Sequence, residues 1–265
     1  MLEEAPFDLL CPGRRPSGLA PVPMAISATG EPDWDGFAHV LGQVVDTGLV
    51  PYLNAGPGFA DELSPSVRAE VVATAGAALR SPTFVSGVRA ELGADGNFDP
   101  ARLAGAVDAV GRHEGIVALL PSPALAALHI DEAVGLVAWM GEWCDRIVVA
   151  DLPAHRWSGG RTWGLDAVAA LMDQPSCIGV IDGSWDRQQE WERIRLRDEL
   201  RPDFHLFSAN ALAVDQIMYG ADHSLDLSAA VPDAVADRDA VWEQEDPGVL
   251  ERNDALQALA TIVFR

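Results

Sequence analysis

A closed α/β fold, a (β/α)8 TIM barrel with C-terminal helices, is predicted by three features of the chain. Short apolar runs alternate with longer amphipathic segments eight times, which is the pattern of strands buried on both faces and crossover helices. The length, 265 residues with 49% hydrophobic side chains, suits one barrel with a single large core. No GxGxxG follows the first apolar run, so the open dinucleotide-binding sheet lacks its phosphate loop.

Residues 1–20 (MLEEAPFDLLCPGRRPSGLA) mix proline, glycine and charge without periodicity and read as an irregular lead-in to a barrel domain over residues 21–265. Strands are expected at Pro23–Ser27, Val50–Asn54, Thr83–Val88, Ile116–Leu120, Arg146–Asp151, Cys177–Asp182, Asp203–Ser208 and His223–Leu227. Helical patterns lie between them, from Trp34–Thr47 to Asn210–Gly220, and two more cover Pro232–Gln244 and Pro247–Phe264. Ser64-Pro65 and Asp99-Pro100 carry the cap-then-proline pattern that opens a helix.

Forty acidic residues against 18 basic ones give a formal charge of −22, which repels nucleic acid and anionic membranes. Cys11, Cys144 and Cys177 are odd in number and widely spaced, the usage of buried thiols rather than of a disulfide framework or thiolate zinc site. Glu3 and Glu4 stand where a secretory signal carries basic residues, and no 18-residue apolar stretch occurs, so a cytoplasmic location is expected. All 18 basic residues are arginine; the chain contains no lysine.

The order of motifs from Met24 to Phe264 resembles the dihydrodipicolinate synthase / N-acetylneuraminate lyase family. "PDWDGFAHVLGQVVDTGLVPYLNAGPGFADELSPSVRAEVV" is similar to that family's opening, with an Asp-Gly pair starting the first helix and a glycine-rich turn before "LS" and a helix. "TFVSGV", "IVALLPSP", "RIVVADLP" and "CIGVIDGSWD" resemble its third to sixth strands, and "YGADHSLDLSAAVPD" its eighth strand and following proline. The resemblance implies a barrel, a homo-oligomer and a small oxo-acid or sugar-acid ligand. It also places the family's Schiff-base lysine on Ile181, its proton-shuttling tyrosine on Ala150 beside the retained Pro153, and its paired threonines near Gly56 and Pro57, with Gly58 retained. The family's carboxylate-binding arginine falls near His155 or Arg156. An aliphatic residue cannot form an imine, and no realignment recovers a lysine in a chain that has none, so Schiff-base chemistry is excluded.

Barrel enzymes act at the C-terminal ends of their strands. Ser27, Asn54, Arg89, Asp151, His155, Asp182, Ser208, Asn210 and Asp226 are expected there, a polar, carboxylate-rich set unlike the Ala, Leu and Val of a decayed pocket. Asp151, Asp182 and His155 are the catalytic candidates; Asn54, Arg89, Arg156, Ser208, Asn210 and Asp226 are the candidates for holding substrate. Three carboxylates and an imidazole could gather a divalent metal for enolate chemistry, or Asp151 and Asp182 could cap the helices that follow them. Asp151 serves as a general base if desolvated, or holds Arg156 if not. Arg89 either grips a carboxylate or phosphate or pairs with Glu91. The other histidines and the helical tryptophans read as structural, whereas Trp157 and Trp163 flank "SGGRT" in the loop after the fifth strand, the place for a lid or for a packed loop.

Three functions stay open. The chain is a lyase- or aldolase-type enzyme using carboxylate or metal-assisted acid/base chemistry, a noncatalytic relative that binds a small ligand or stabilises an oligomer, or an interaction protein using its acidic surface.

Overall fold

The computed structural model describes residues 10–56, 60–79, 84–93, 96–155, 157, 159–212 and 214–263. Eight parallel strands close into a barrel in sequence order: β1 Gly18–Pro21, β2 Val50–Leu53, β3 Val85–Arg89, β4 Ile116–Leu120, β5 Ile147–Asp151, β6 Cys177–Asp182, β7 His205–Ser208 and β8 Asp222–Ser224. The ring is completed by β1 against β8, with Gly18 beside His223 and Leu19 beside Ser224.

Helices α1 Trp34–Asp46, α2 Pro65–Ala78, α3 Pro100–Gly111, α4 Pro123–Ala127, α5 Ile130–Met140, α6 Leu165–Met172, α7 Arg187–Leu200 and α8 Val214–Met218 connect the strands, and α9 Pro232–Glu243 and α10 Val249–Val263 follow the last one. Their starts follow from local chemistry. Asp33, Ser64, Asp99, Ser122 and Asp186 each accept a backbone N–H of the first turn, and proline occupies the first turn of α2, α3 and α4, where no N–H is needed.

Successive side chains of a strand point to opposite faces, so each strand feeds two cores. Leu19, Tyr52, Val85, Ala118, Leu120, Val148, Ala150, Ile181 and Phe207 fill the lumen. Ala20, Leu53, Val88, Val117, Leu119, Ile147, Val149, Cys177, Val180 and Leu206 pack outward against the helices. Cys144 and Cys177 are buried free thiols, as expected; Cys11 is partly exposed.

The first strand departs from the sequence reading. It lies at Gly18–Pro21, starting within the expected lead-in, while Ile26 pairs antiparallel with Pro32 in a loop where Pro23–Ser27 is expected to run as strand. Prolines at 16, 21 and 23 punctuate a four-residue strand so closely that its periodicity is lost. The segment before β1 is tied to the barrel floor, where buried Asp222 accepts from Arg14 at 2.7 Å and from the Ser17 N–H at 2.8 Å and bonds His205 at 2.6 Å. On β8, His223 points outward to Asp239 of α9 at 2.7 Å, and a β-carbon on Gly18 would lie 2.4 Å from that imidazole.

Gly87 is a second position of forced close approach, since a β-carbon there would stand 2.3 Å from the backbone oxygen of Asn54. Gly87→Ala is expected to lower stability by about 1–3 kcal/mol through overpacking of β2 against β3, read as a reduced urea midpoint with an unchanged slope.

Candidate functional site

The alternation that builds two cores also divides the expected polar ring. At the end of β5, Ala150 faces the lumen and Asp151 faces the helices; at the end of β6, Ile181 faces the lumen and Asp182 the helices. Both aspartates are buried and meet Arg193 of α7, a fully buried guanidinium, which donates to Asp182 at 2.5 Å and to Asp151 through its other terminal nitrogen. The same Arg193 donates to the Trp163 carbonyl, while the Trp163 N–H donates to Asp151 at 3.2 Å. Asp182 also accepts from the Ser184 N–H at 3.0 Å and hydroxyl at 2.6 Å, closing the turn that leads into α7.

Ser208 belongs to this outward layer too, its hydroxyl donating to Glu190 of α7 at 2.9 Å. Burial, reinforced by the nearby charge of Asp182, pushes the Glu190 carboxyl up to about 8, and the Ser208 bond only partly opposes it. Burial likewise pushes Asp151 up to about 6 against the pull of Arg193. Two aspartates and one guanidinium carry a surplus negative charge, and in a water-poor layer one carboxyl relieves it by holding a proton more firmly.

The other candidates lie outside this cluster except for Asn210, whose backbone N–H donates to the Ser208 hydroxyl at 3.3 Å. His155 is exposed, Asn210 accepts the Leu212 N–H of its own loop at 3.1 Å, and Asp226 is exposed at the mouth, close enough to help raise the pKa of the Tyr52 phenol, whose main cause is burial. Arg156 lies outside the described residues. Asn54 faces outward, donating to the Arg68 carbonyl at 3.1 Å and to Ser86 at 3.2 Å. Arg89 stands on the lumen side of β3, half-buried, and burial lowers its pKa against the influence of Tyr52 and Glu91. Among the described residues no three His, Cys, Asp or Glu side chains converge in an arrangement able to hold a metal ion; Asp151 and Asp182 share Arg193 instead.

The upper lumen is therefore formed by Tyr52, Leu120, Ala150, Ile181 and Phe207, with Leu152 and Ala209 packed against them and Arg89 level with Leu120. Of the expected ring, Asn54, Asp151, Asp182 and Ser208 sit at the right height on the strands but turn away from the centre, whereas Arg89 faces it. Over this apolar mouth, Trp157 reaches from the β5–α6 loop to Gly56, where its ring comes within 2.1 Å of the point a β-carbon would occupy. Trp163 is fully buried beside Asp151.

Sequence reading missed Arg193 and Glu190 because α7, RQQEWERIRLRDEL, is charged or polar at most positions, so its inward-facing charges do not stand out. The available signal was spacing: Glu190, Arg193, Ile194 and Arg197 fall on one helical stripe that includes an apolar residue.

Arg193→Met leaves two carboxylates buried without a counter-charge, and a loss of about 3–5 kcal/mol in unfolding free energy is expected, with most of it restored when Asp151→Asn and Asp182→Asn are added. Glu190 gives a separate test. An acid with a raised folded pKa keeps its proton in the fold where the unfolded chain has lost it, so stability is greatest below the ordinary value of 4.5 and falls as pH climbs through about 8. Glu190→Gln removes that decline and is expected to raise stability near pH 9 by about 1–3 kcal/mol while changing little near pH 4, measured by urea unfolding at both.

No family model matches the sequence, and no curated protein matches it. Solved structures do. A prophage protein of the dihydrodipicolinic acid synthase family from E. coli K12, solved with pyruvate, superposes with a TM-score of 0.81 at 12% identity, covering 93% of this chain and 82% of the other. A monomeric dihydrodipicolinate synthase variant gives a TM-score of 0.79 at 14% identity over 98% of this chain and 84% of its own. The dihydrodipicolinate synthase of Acinetobacter baumannii, also with pyruvate, gives 0.79 at 14% identity over 95% and 84%. The similarity extends along nearly the whole chain, and the fold is that of the dihydrodipicolinate synthase-like barrels.

Proposed function

We propose that the chain is a noncatalytic barrel of the dihydrodipicolinate synthase type, one that works by binding a small acid rather than by breaking a carbon–carbon bond. The observation that carries this reading is the division of side chains at the top of β5 and β6. The lumen receives Ala150 and Ile181, while Asp151 and Asp182 are held by Arg193 beneath the helices. A general base must come within hydrogen-bond reach of the proton it removes, and neither aspartate has a route to a ligand in the lumen. A class II reaction requires carboxylate or imidazole ligands around one ion, and the guanidinium of Arg193 sits where a cation bridging those two aspartates would sit. The Trp157 ring over Gly56 closes the mouth further.

Small-molecule binding and self-association are the partners that belong to this reading. Leu212, Leu250 and Ile262 offer exposed apolar surface for a second copy of the chain. Among the described residues no helix is long and apolar enough to cross a membrane.

Enolisation is the half-reaction common to lysine-dependent and metal-assisted aldol chemistry, and it exchanges the C3 protons of a 2-oxo acid with solvent. Incubated in D2O with pyruvate or 2-oxobutyrate, with and without Mg2+, Mn2+ or Zn2+, the protein is expected to leave the C3 proton signals at the rate of the protein-free control. Protein-dependent exchange that is lost in Asp151→Asn or Asp182→Asn, in a chain that remains folded, would overturn the noncatalytic reading and restore the carboxylates to a chemical role.

A further inference from the structure

Where α7 and α8 pack against β6 and β7, the helix layer holds a cavity with about 10 Å3 open to the centre of a water molecule. That is room for about one water and for no larger ligand. Its polar wall is made by Glu190 and Arg193 of α7, Ser208 of β7 and Gln216 of α8, and Ile194, Leu206 and Ala221 complete it. All of these residues are buried. Leu206 faces the helices rather than the lumen, so the cavity lies behind the strands and apart from the barrel mouth.

The polar wall is unfinished at four atoms. Gln216 is 1% exposed, and neither the nitrogen nor the oxygen of its amide has a hydrogen-bond partner among the described residues, so turning the amide round cures nothing. Glu190 accepts from the Ser208 hydroxyl at 2.9 Å with one carboxyl oxygen and leaves Oε1 without a partner. Arg193 commits both terminal nitrogens to Asp151, Asp182 and the Trp163 carbonyl and leaves Nε over. Buried polar atoms are nearly always bonded in native proteins, and an unmet one is costly. These four are shut off from bulk solvent, so a partner for them has to be lodged inside the protein.

We propose that this cavity binds one structural water molecule, which bridges the Gln216 amide of α8 and Glu190 Oε1 of α7 beside the Arg193 guanidinium. The unmet set is two donors and two oxygens, and a water offers two hydrogens and two lone pairs. Other ligands of one heavy atom match only half of it: ammonium or a metal cation would face the Gln216 and Arg193 N–H groups, and chloride would face the oxygens of Gln216 and Glu190. Water also serves Glu190 in both its forms, accepting from the protonated carboxyl and donating to the ionised one. The bridge gives α8, a helix of five residues, a polar tie to α7 through its one fully buried polar side chain. It is independent of whether the lumen performs chemistry.

A high-resolution crystal structure of the full chain is expected to show one density peak in the cavity, about 2.7–3.2 Å from the Gln216 amide and from Glu190 Oε1. Crystals soaked in sodium bromide or thallium(I) acetate are expected to give no anomalous signal there. In solution, oxygen-17 relaxation dispersion counts long-lived internal waters. Ala221→Val adds bulk at a lining position without removing a polar group, and is expected to lower that count by one, with circular dichroism confirming that the variant folds. A wild-type map without the peak, a bromide or thallium signal in the cavity, or an unchanged count in folded Ala221→Val would each overturn the assignment. If Ala221→Val does not fold, the wild-type map decides by itself.

Discussion

Arg193 is the residue on which the top of this barrel depends. A buried guanidinium pinned between Asp151 and Asp182 ties the ends of two adjacent strands to α7, and through the Trp163 carbonyl it also ties down the segment leading into α6. Removing charges from water is expensive, and such a group persists only where the geometry returns most of that cost. The geometry here suits arginine and no other side chain: a planar fork presents separate N–H groups to two carboxylates that face it from neighbouring strands, as a single ammonium could not. A chain whose basic residues are all arginine can build this arrangement at its core without introducing a titratable amine.

The consequence reaches the lumen through the two-residue period of the strands. Once Asp151 and Asp182 are committed to the helix layer, Ala150 and Ile181 must occupy the inner face at the same height. The inner face at this height is Tyr52, Leu120, Ala150, Ile181 and Phe207, with the half-buried Arg89 of β3 beside them. The carboxylates and the apolar lumen are thus two sides of one register.

Much of the architecture was legible because buried parallel strands leave continuous apolar runs. "IVALL" and "CIGVID" end where the structure ends them, at Leu120 and Asp182, and Asp99-Pro100 marks the start of α3. β1 escaped notice because four residues among three prolines carry too little pattern to read. The height of the site residues was legible as well, but their facing was not. A strand end gives a side chain's level directly, whereas its face depends on which neighbours lie in the core, and for "VVAD" either aspartate or alanine could have been turned inward until Arg193 was seen to claim the acid. Arg193 itself hid in a helix whose composition belongs to a surface.

Polar groups that have found partners inside the protein have little to offer a ligand, and this describes Asp151, Asp182 and Ser208. Asn54 differs because its amide is only half used: the nitrogen is committed to α2 and β3, and the oxygen is left over. It differs also in what surrounds it, since α2 and α3 meet through alanine and glycine rather than through the large side chains that seal most of the helix layer. Where α2 and α3 meet through small side chains the helix layer is thin, and a cleft opens at the flank of the barrel rather than on its axis.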